Sequence, residues 1–268
     1  MHDTDNLIRF YTEDCNEDER LLSRPGQAEF LTTLRYLDRY LFSGAKVLEI
    51  GAGTGRYSHH LARQGYKVEA LELVPGNIEI FRQNTLPGEQ VNIREGNALD
   101  LSAYPDESFD LTLLLGPMYH LYTFEDRQKA LSEAVRVTKK DGVIFAAYCI
   151  GDASIMQFGF IRGNIKNVIE QGLLDPTTFD TIPDSSVVFS LYRKENIDEL
   201  NETLPVQRLH YVGTDLLTHL IRDTMAAMDD ETFKLYMQYH YNICEREDMV
   251  GMTNHSLDIL RRVDCRRA

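Results

Sequence analysis

The chain has few cysteines and few basic residues for its length. Its 268 residues include four cysteines with no CxxC spacing, which argues against a structural zinc site and a disulfide framework and favours a reducing, cytoplasmic location. Lysine and arginine together number 28 against 42 aspartates and glutamates, so the formal net charge is −14. That charge argues against a broad nucleic-acid-binding surface, which needs a basic face.

Long apolar stretches are missing as well. The most apolar run, LTLLLGPMYHLY, is far shorter than the roughly 20 residues that cross a bilayer. The N-terminus, MHDTDNLIRF, has no apolar segment of the kind found in signal peptides. We therefore expect no membrane partner and no secretion.

Strand-like and helix-like patterns alternate along the chain, and this alternation predicts an α/β fold with a doubly wound, parallel sheet and right-handed crossovers. The predicted strands lie at 46–50, 67–73, 91–95, 109–115, 142–149, 206–213 and 255–263. Helices are predicted at 27–42, 215–228 and 230–246, among others.

The length fits one domain with insertions, so we predict a single domain over residues 1–268. Its ligand-binding core is expected at about 43–150. Cap segments are expected at about 1–25, 151–185 and 213–252. Apolar and aromatic residues of these segments suggest an enclosed pocket for a small organic molecule: Met156, Phe158, Phe160, Tyr236, Tyr239 and Tyr241.

The most informative stretch is VLEIGAGTGRYS, residues 47–58. No lysine follows the glycines, which excludes a nucleoside-triphosphate loop, and neither way of counting them gives GxGxxG, which excludes the dinucleotide fingerprint. Glu49 precedes them at the carboxyl end of the first strand, where α/β sheets bind ligands. A carboxylate there repels a pyrophosphate but attracts an ammonium or sulfonium group, so the loop favours a zwitterionic ligand.

A second acidic residue follows at a suitable distance. Glu72 lies near the end of the second predicted strand, about 20 residues beyond the glycines, where a carboxylate can accept both hydroxyls of an unphosphorylated ribose. The alternative is that Glu72 is an ordinary surface residue at a strand end.

With these motifs the sequence resembles the class I S-adenosylmethionine-dependent methyltransferases. The matching stretches are VLEIGAGTGRYS, the strand ALEL with Glu72, EGNALDL (95–101) and SFDLTLLLGPMYHL (108–121). The resemblance implies a Rossmann-like, seven-stranded sheet in the order 3-2-1-4-5-7-6 with helical cap insertions. It also implies S-adenosylmethionine as cofactor and S-adenosylhomocysteine as product.

The resemblance further implies which residues bind the cofactor. The three loop glycines would lie along its methionine part with Glu49 near its amino group, Glu72 would hold the ribose, and Asn97 would accept a hydrogen bond from the adenine amino group. Tyr11 and Arg20 lie in an N-terminal stretch that resembles the segment closing over the cofactor, and Arg20 would suit the methionine carboxylate. The full expected set is Tyr11, Arg20, Glu49, Gly51, Ala52, Gly53, Gly55, Glu72, Leu73, Asn97, Ala98 and Leu115.

The segment LGPMYHL ends the fourth strand at the face where the transferred methyl group is expected. Tyr119 and His120 are therefore the candidate catalytic residues, with His120 as a general base; the alternative is that this histidine only packs. Methyl transfer from a sulfonium needs alignment and desolvation but no metal, and the sequence shows no cluster with ligand spacing.

The sequence therefore predicts a methyltransferase acting on an oxygen or nitrogen atom of a small organic molecule, working as a monomer or homodimer without nucleic acid. Two alternatives remain open at this point: a methyltransferase acting on protein or RNA, and a non-catalytic cofactor-binding protein.

Overall fold

The structure is a computed structural model that describes residues 4–14 and 22–264. Its centre is one seven-stranded sheet in the order β3-β2-β1-β4-β5-β7-β6. The strands are β1 (Lys46–Ile50), β2 (Lys67–Glu72), β3 (Val91–Glu95), β4 (Phe109–Leu114), β5 (Thr138–Cys149), β6 (Val206–Gly213) and β7 (His255–Arg262). The predicted fold class and strand order are confirmed.

The first five strands run parallel and β7 runs antiparallel to both of its neighbours. Strand β5 starts earlier than the predicted position 142, because Thr138 pairs with Phe109 before a register shift in the ladder. Since β7 is antiparallel, its first residue, His255, pairs with Cys149 at the end of β5. The amino end of β7 thus lies at the same edge as the carboxyl ends of the parallel strands.

Helices cover both faces of the sheet. They are α1 (Thr4–Arg9), α2 (Arg24–Leu37), α3 (Arg56–Arg63), α4 (Pro75–Asn84), α5 (Phe124–Val137), α6 (Gly151–Ser154), α7 (Ile165–Glu170), α8 (Lys194–Glu202), α9 (Arg222–Ala226) and α10 (Asp230–Ile243). Successive residues of a strand face opposite sides, so Val47 and Leu48 enter two different cores. Because β1 is buried on both faces, its sequence is nearly continuous in apolar residues.

Two helix predictions need correction. Helix α2 begins before position 27, because the Ser23 hydroxyl accepts the N–H of Gly26 and caps it. The single helix predicted at 215–228 is instead a 3₁₀ turn, Leu216–His219, followed by α9. The Asp215 carboxylate accepts N–H groups at 254 and 255, and Leu216 has φ +38, so a continuous helix cannot form there.

The predicted cap segment at 213–252 packs on α2. The contact is a small apolar cluster in which Ala28 of α2 meets Met225 of α9 and Phe233 and Met237 of α10. Within the ranges 4–14 and 22–264, no helix is both long and apolar enough to cross a membrane.

Candidate active site

A pocket opens at the edge of the sheet where the carboxyl ends of the parallel strands meet, and of the predicted cap segments it takes Thr4, Leu7, Tyr11 and Thr214 into its wall. Most of the residues expected at the cofactor lie on its wall: Tyr11, Gly51, Ala52, Gly53, Glu72, Leu73, Asn97, Ala98 and Leu115, together with Tyr119 and His120. Glu49 and Gly55 do not lie on that wall, and Arg20 falls outside the described residues.

The glycine loop is shaped by two different needs. Gly51 and Gly53 both have positive φ, +72° and +55°, which favours glycine. A Cβ on Gly51 would lie 2.7 Å from Cδ of Pro117, whereas a Cβ on Gly53 would meet nothing within 4 Å. Gly51 therefore lets β1 approach the turn after β4, and Gly53 leaves room on the pocket wall for a ligand.

Glu49 acts behind the loop instead of on the pocket wall. It is 2% exposed, and its carboxylate accepts a hydrogen bond from the Ser58 hydroxyl near the start of α3. Burial raises the pKa of Glu49 to about 8, although Ser58 opposes the shift. The carboxylate thus ties β1 to α3, and a contact of Glu49 with the ligand's amino group stays a prediction.

Glu72 lies on the wall and holds the loop at the same time. Its Oε2 accepts the N–H of Gly53 at 2.7 Å, and its Oε1 accepts the N–H of Val74 at 2.9 Å. Burial raises the pKa of Glu72, while these backbone donors lower it. Hydrogen bonds from the Asn77 side chain and the N–H of Leu73 also lower it, so a ligand hydroxyl would share the carboxylate with these donors or replace one of them.

Asn97 is placed similarly, in the turn after β3. Its side-chain oxygen accepts the N–H of Leu99 at 2.9 Å, which fixes the side chain on the wall beside Ala98. One lone pair of that oxygen remains for a ligand donor. Leu73 lies on the same wall, as the resemblance implies.

His120 has a partner on each ring nitrogen. Its Nδ1 lies 2.9 Å from the carbonyl of Val188, to which it must donate, and its Nε2 lies 2.9 Å from the Tyr11 hydroxyl, from which it then accepts. Burial lowers the pKa of His120 to about 4. The Nε2 lone pair that a base would use is engaged, so the contacts support a different role, holding Tyr11 over the pocket. The role of a base stays a prediction.

Further aromatic rings pack beside Tyr11 and His120 and form a cluster at one side of the pocket. The ring centroid of Phe189 lies 5.3 Å from that of His120 and 6.0 Å from that of Tyr119. The ring centroid of Phe10 lies 5.5 Å from that of Phe189. Segments from the N-terminus, the turn after β4 and the loop before α8 thus meet in one cluster. The cluster closes one side of the pocket.

We expect Tyr11→Phe to lower the free energy of local opening of this cluster by about 0.5–1.5 kcal/mol, the net contribution of one hydrogen bond. Hydrogen exchange of the amides at 4–14 should become faster while exchange in the sheet is unchanged, and His120→Asn should have the same effect. A base at His120 predicts a different pattern, in which His120→Asn lowers turnover by about 10²–10⁴-fold and leaves exchange unchanged.

Several residues on the wall were missed by the sequence analysis, and Arg56 is one of them. Among the described wall residues it is the only arginine or lysine. Its guanidinium packs 4.5 Å above the ring of Phe30, and its Nε is buried with no hydrogen-bond partner among the described residues. Arg56 directly follows the glycines, so its position in the motif could have identified it.

A second missed group lies on the other side of the pocket. His255 and Glu29 are on the wall, and Nδ1 of His255 lies 2.8 Å from Oδ2 of Asp215 and 3.7 Å from Oε2 of Glu29. The buried Asp215 also accepts the Thr253 hydroxyl at 2.6 Å. Burial alone would raise the pKa of Asp215, but the charge of His255 and the hydrogen bonds from His255 and Thr253 together lower it to about 2.

The aromatic and apolar cap residues are placed differently from the prediction. Met156, Phe158 and Phe160 lie in a π-helical segment, Ile155–Ile161, and are 43%, 48% and 53% exposed. Tyr239 is 59% exposed. None of these four lies on the wall of this pocket, so a part for them in enclosing a ligand stays a prediction.

Residues 48–146 match a family model described as a methyltransferase domain. Over 98 residues the chain is 33% identical to the ubiquinone biosynthesis O-methyltransferase of Xanthomonas euvesicatoria pv. vesicatoria, covering 36% of this chain and 39% of that protein. The enzyme of the same description from Xylella fastidiosa is 34% identical over 110 residues, covering 41% and 44%. The chain thus spans less than half the length of these curated relatives.

Solved structures match over more of the chain. An S-adenosylmethionine-dependent methyltransferase from Thermotoga maritima has a TM-score of 0.57 and 19% identity, covering 97% of this chain and 99% of that one. A structure described as the cyclase SpnF has a TM-score of 0.57 and 16% identity, covering 88% and 80%. At these identities the likeness shows the fold alone.

Proposed function

We propose, from the premise that the chain carries a class I S-adenosylmethionine-dependent methyltransferase domain, that it transfers a methyl group to an oxygen atom of a small organic molecule. The observation that carries the proposal is the set of polar groups along the glycine loop: Glu72 on one side, Arg56 on the other, and an open space above Gly53. Nitrogen as the methylated atom is the alternative.

These residues fit the proposed cofactor. The cofactor would supply a methyl group on a positively charged sulfur. Glu72 would accept its ribose hydroxyls beside, or in place of, the donors that its carboxylate already has. The Arg56 guanidinium, whose Nε has no partner among the described residues, suits the methionine carboxylate. Leu73 and Ala98 would lie against the adenine and Asn97 would accept from its amino group.

The proposal of a small acceptor rests on the shape and composition of the pocket. Its wall combines apolar side chains with a few polar groups, as in sites for small organic ligands. Thr4, Leu7 and Tyr11 of the N-terminal segment and Glu29 and Thr33 of α2 add to this wall. An oxygen acceptor is favoured by the two relatives, whose names say that they are O-methyltransferases.

Calorimetry with S-adenosylhomocysteine, NAD and ATP tests the cofactor. We expect binding of the first and none comparable with the other two. Transfer of a labelled methyl group to the low-mass fraction of a cell extract, set beside its protein and RNA fractions, then tests the acceptor class. Label in macromolecules alone would contradict a small acceptor, and cofactor binding without any transfer would favour the non-catalytic alternative.

Arg56→Met is expected to weaken S-adenosylhomocysteine binding by about 1.5–3 kcal/mol, the range for hydrogen bonds to charged groups. Methionine keeps an apolar stem on the Phe30 ring, so the melting temperature should change little. Arg63→Met, in the same helix but off the pocket wall, is the matched control. Equal affinities of the wild type and Arg56→Met would show that the carboxylate is bound elsewhere.

A further inference from the structure

One ring nitrogen of His255 is hydrogen-bonded to Asp215, and the other is available to a ligand in the pocket. Its Nδ1 donates to Asp215, while no described residue forms a hydrogen bond with its Nε2. The side chain is 28% exposed and lies on the pocket wall beside Thr214. Since Glu29 also approaches Nδ1, both carboxylates lie on the same side of the ring, away from Nε2.

Asp215 is built to keep its charge. Its Oδ1 accepts the Thr253 hydroxyl at 2.6 Å and the N–H groups of Asn254 and His255 at 2.9 and 3.1 Å, and its Oδ2 accepts from the His255 ring. A carboxylate with this many donors stays ionised although it is buried. It therefore stabilises a positive charge on the ring that it contacts.

We propose, as a refinement that rests on the proposed function, that Nε2–H of His255 binds the oxygen atom that receives the methyl group, and that this acceptor is bound in its ionised form. The acceptor is thus an acidic hydroxyl of the phenol type or a carboxylic acid. Its proton is lost to bulk water before the ion pair forms, and His255 keeps its own proton. Proton transfer inside the pocket is therefore not required.

The groups that face His255 support the charged ring. Burial opposes the protonated form, but Glu29 of α2, Cys149 of β5 and Asp215 together raise its pKa well above the usual value. His219 is also nearby and is itself held towards the neutral form, chiefly by burial. An imidazolium on an otherwise acidic protein gives an oxyanion one local partner.

4-Nitrophenol in the presence of S-adenosylhomocysteine is the probe, because its phenolate absorbs visible light and its phenol does not. About one pH unit below its solution pKa, the wild-type complex should bind it as the coloured phenolate. His255→Ala should weaken this binding about 10- to 100-fold, and His255→Gln, which keeps a neutral donor, should weaken it less. His210→Gln, which removes a histidine paired with Glu245 at 2.7 Å away from the pocket, should change nothing.

Asp215→Asn tests whether the positive charge of the His255 ring is needed in addition to its Nε2–H donor. The amide would donate to Nδ1, leaving a neutral ring whose Nε2 still carries a proton. Binding of the phenolate should fall while S-adenosylhomocysteine affinity is kept. Benzoate and benzylamine, tested as competitors, distinguish the sources: stronger competition by benzoate assigns a carboxylic acid, and weaker competition assigns a phenol.

Three results overturn the inference alone: tighter binding of benzylamine than of both oxygen acids, no binding of either acid to the wild type, or unchanged phenolate binding in His255→Ala. In each, S-adenosylhomocysteine still binds, so the proposed function survives. If the wild type does not bind S-adenosylhomocysteine, the proposed function fails and this inference falls with it.

Discussion

Glu49→Gln is expected to flatten the dependence of stability on pH. The pKa of Glu49 is raised to about 8 in the folded protein because the group is buried, against an ordinary value of 4.5. Between these two values the unfolded chain releases a proton that the native state keeps, so the free energy of unfolding falls as pH rises. The loss is about 1.4 kcal/mol per pH unit, or about 4–5 kcal/mol over the whole window.

Urea unfolding from about pH 5 to about pH 8 measures this effect, since that range spans the window. The difference between the wild type and Glu49→Gln reports Glu49 together with its coupling to Glu72, whose charge also raises the pKa of Glu49. Glu199→Gln, at an exposed position of α8, is the control and should keep the wild-type slope. Parallel curves for the wild type and Glu49→Gln would contradict the prediction.

Gly51→Ala is expected to destabilise the protein by about 2–5 kcal/mol. About 1–2 kcal/mol comes from a side chain at positive φ, and about 1–3 kcal/mol from overpacking against Pro117, whose Cδ would lie 2.7 Å from the new Cβ. Thermal or urea unfolding without ligand measures the loss. Stability equal to that of the wild type would show that the turn after β4 moves aside freely.

Gly53→Ala is the matched variant two residues further on. It also has positive φ, but its Cβ would meet no atom within 4 Å, so only about 1–2 kcal/mol should be lost. Because that Cβ would enter the space on the pocket wall, S-adenosylhomocysteine binding should weaken more than stability does. The two variants thus separate a glycine needed for packing from a glycine needed for the ligand.

Much of the fold could be predicted from the sequence because local pattern and tertiary environment agree there. Strands β1 and β4 are buried on both faces and have short, mainly apolar sequences. Gly51 follows β1 directly and Gly116 follows β4 after one residue, and both indicate a turn. The resemblance then supplied the strand order. The helix expected at 215–228 was wrong because Asp215 bonds to backbone distant in sequence, which no local pattern reveals.

The candidate site was predicted unevenly for a related reason. The glycine loop is recognisable from the spacing of its glycines. His255, in contrast, reaches the pocket only because β7 runs antiparallel to β5. A histidine at the first position of a strand has no distinctive spacing, so only the sheet topology identifies it. For Glu72 the position was predicted, but its hydrogen bonds to the loop were not, because they depend on the fold of residues 53 and 74.

The wall of the pocket has two parts of different origin along the chain. Gly51 to Tyr122 lie within the matched methyltransferase domain, while Glu29 and His255 come from outside it. On the proposed function, substitutions in the outer part would change which molecule is admitted without disturbing the loop proposed to hold the cofactor. The proposed specificity could then diversify independently of the proposed methyl transfer, and grafting the outer segments onto another core of this fold would exchange acceptors.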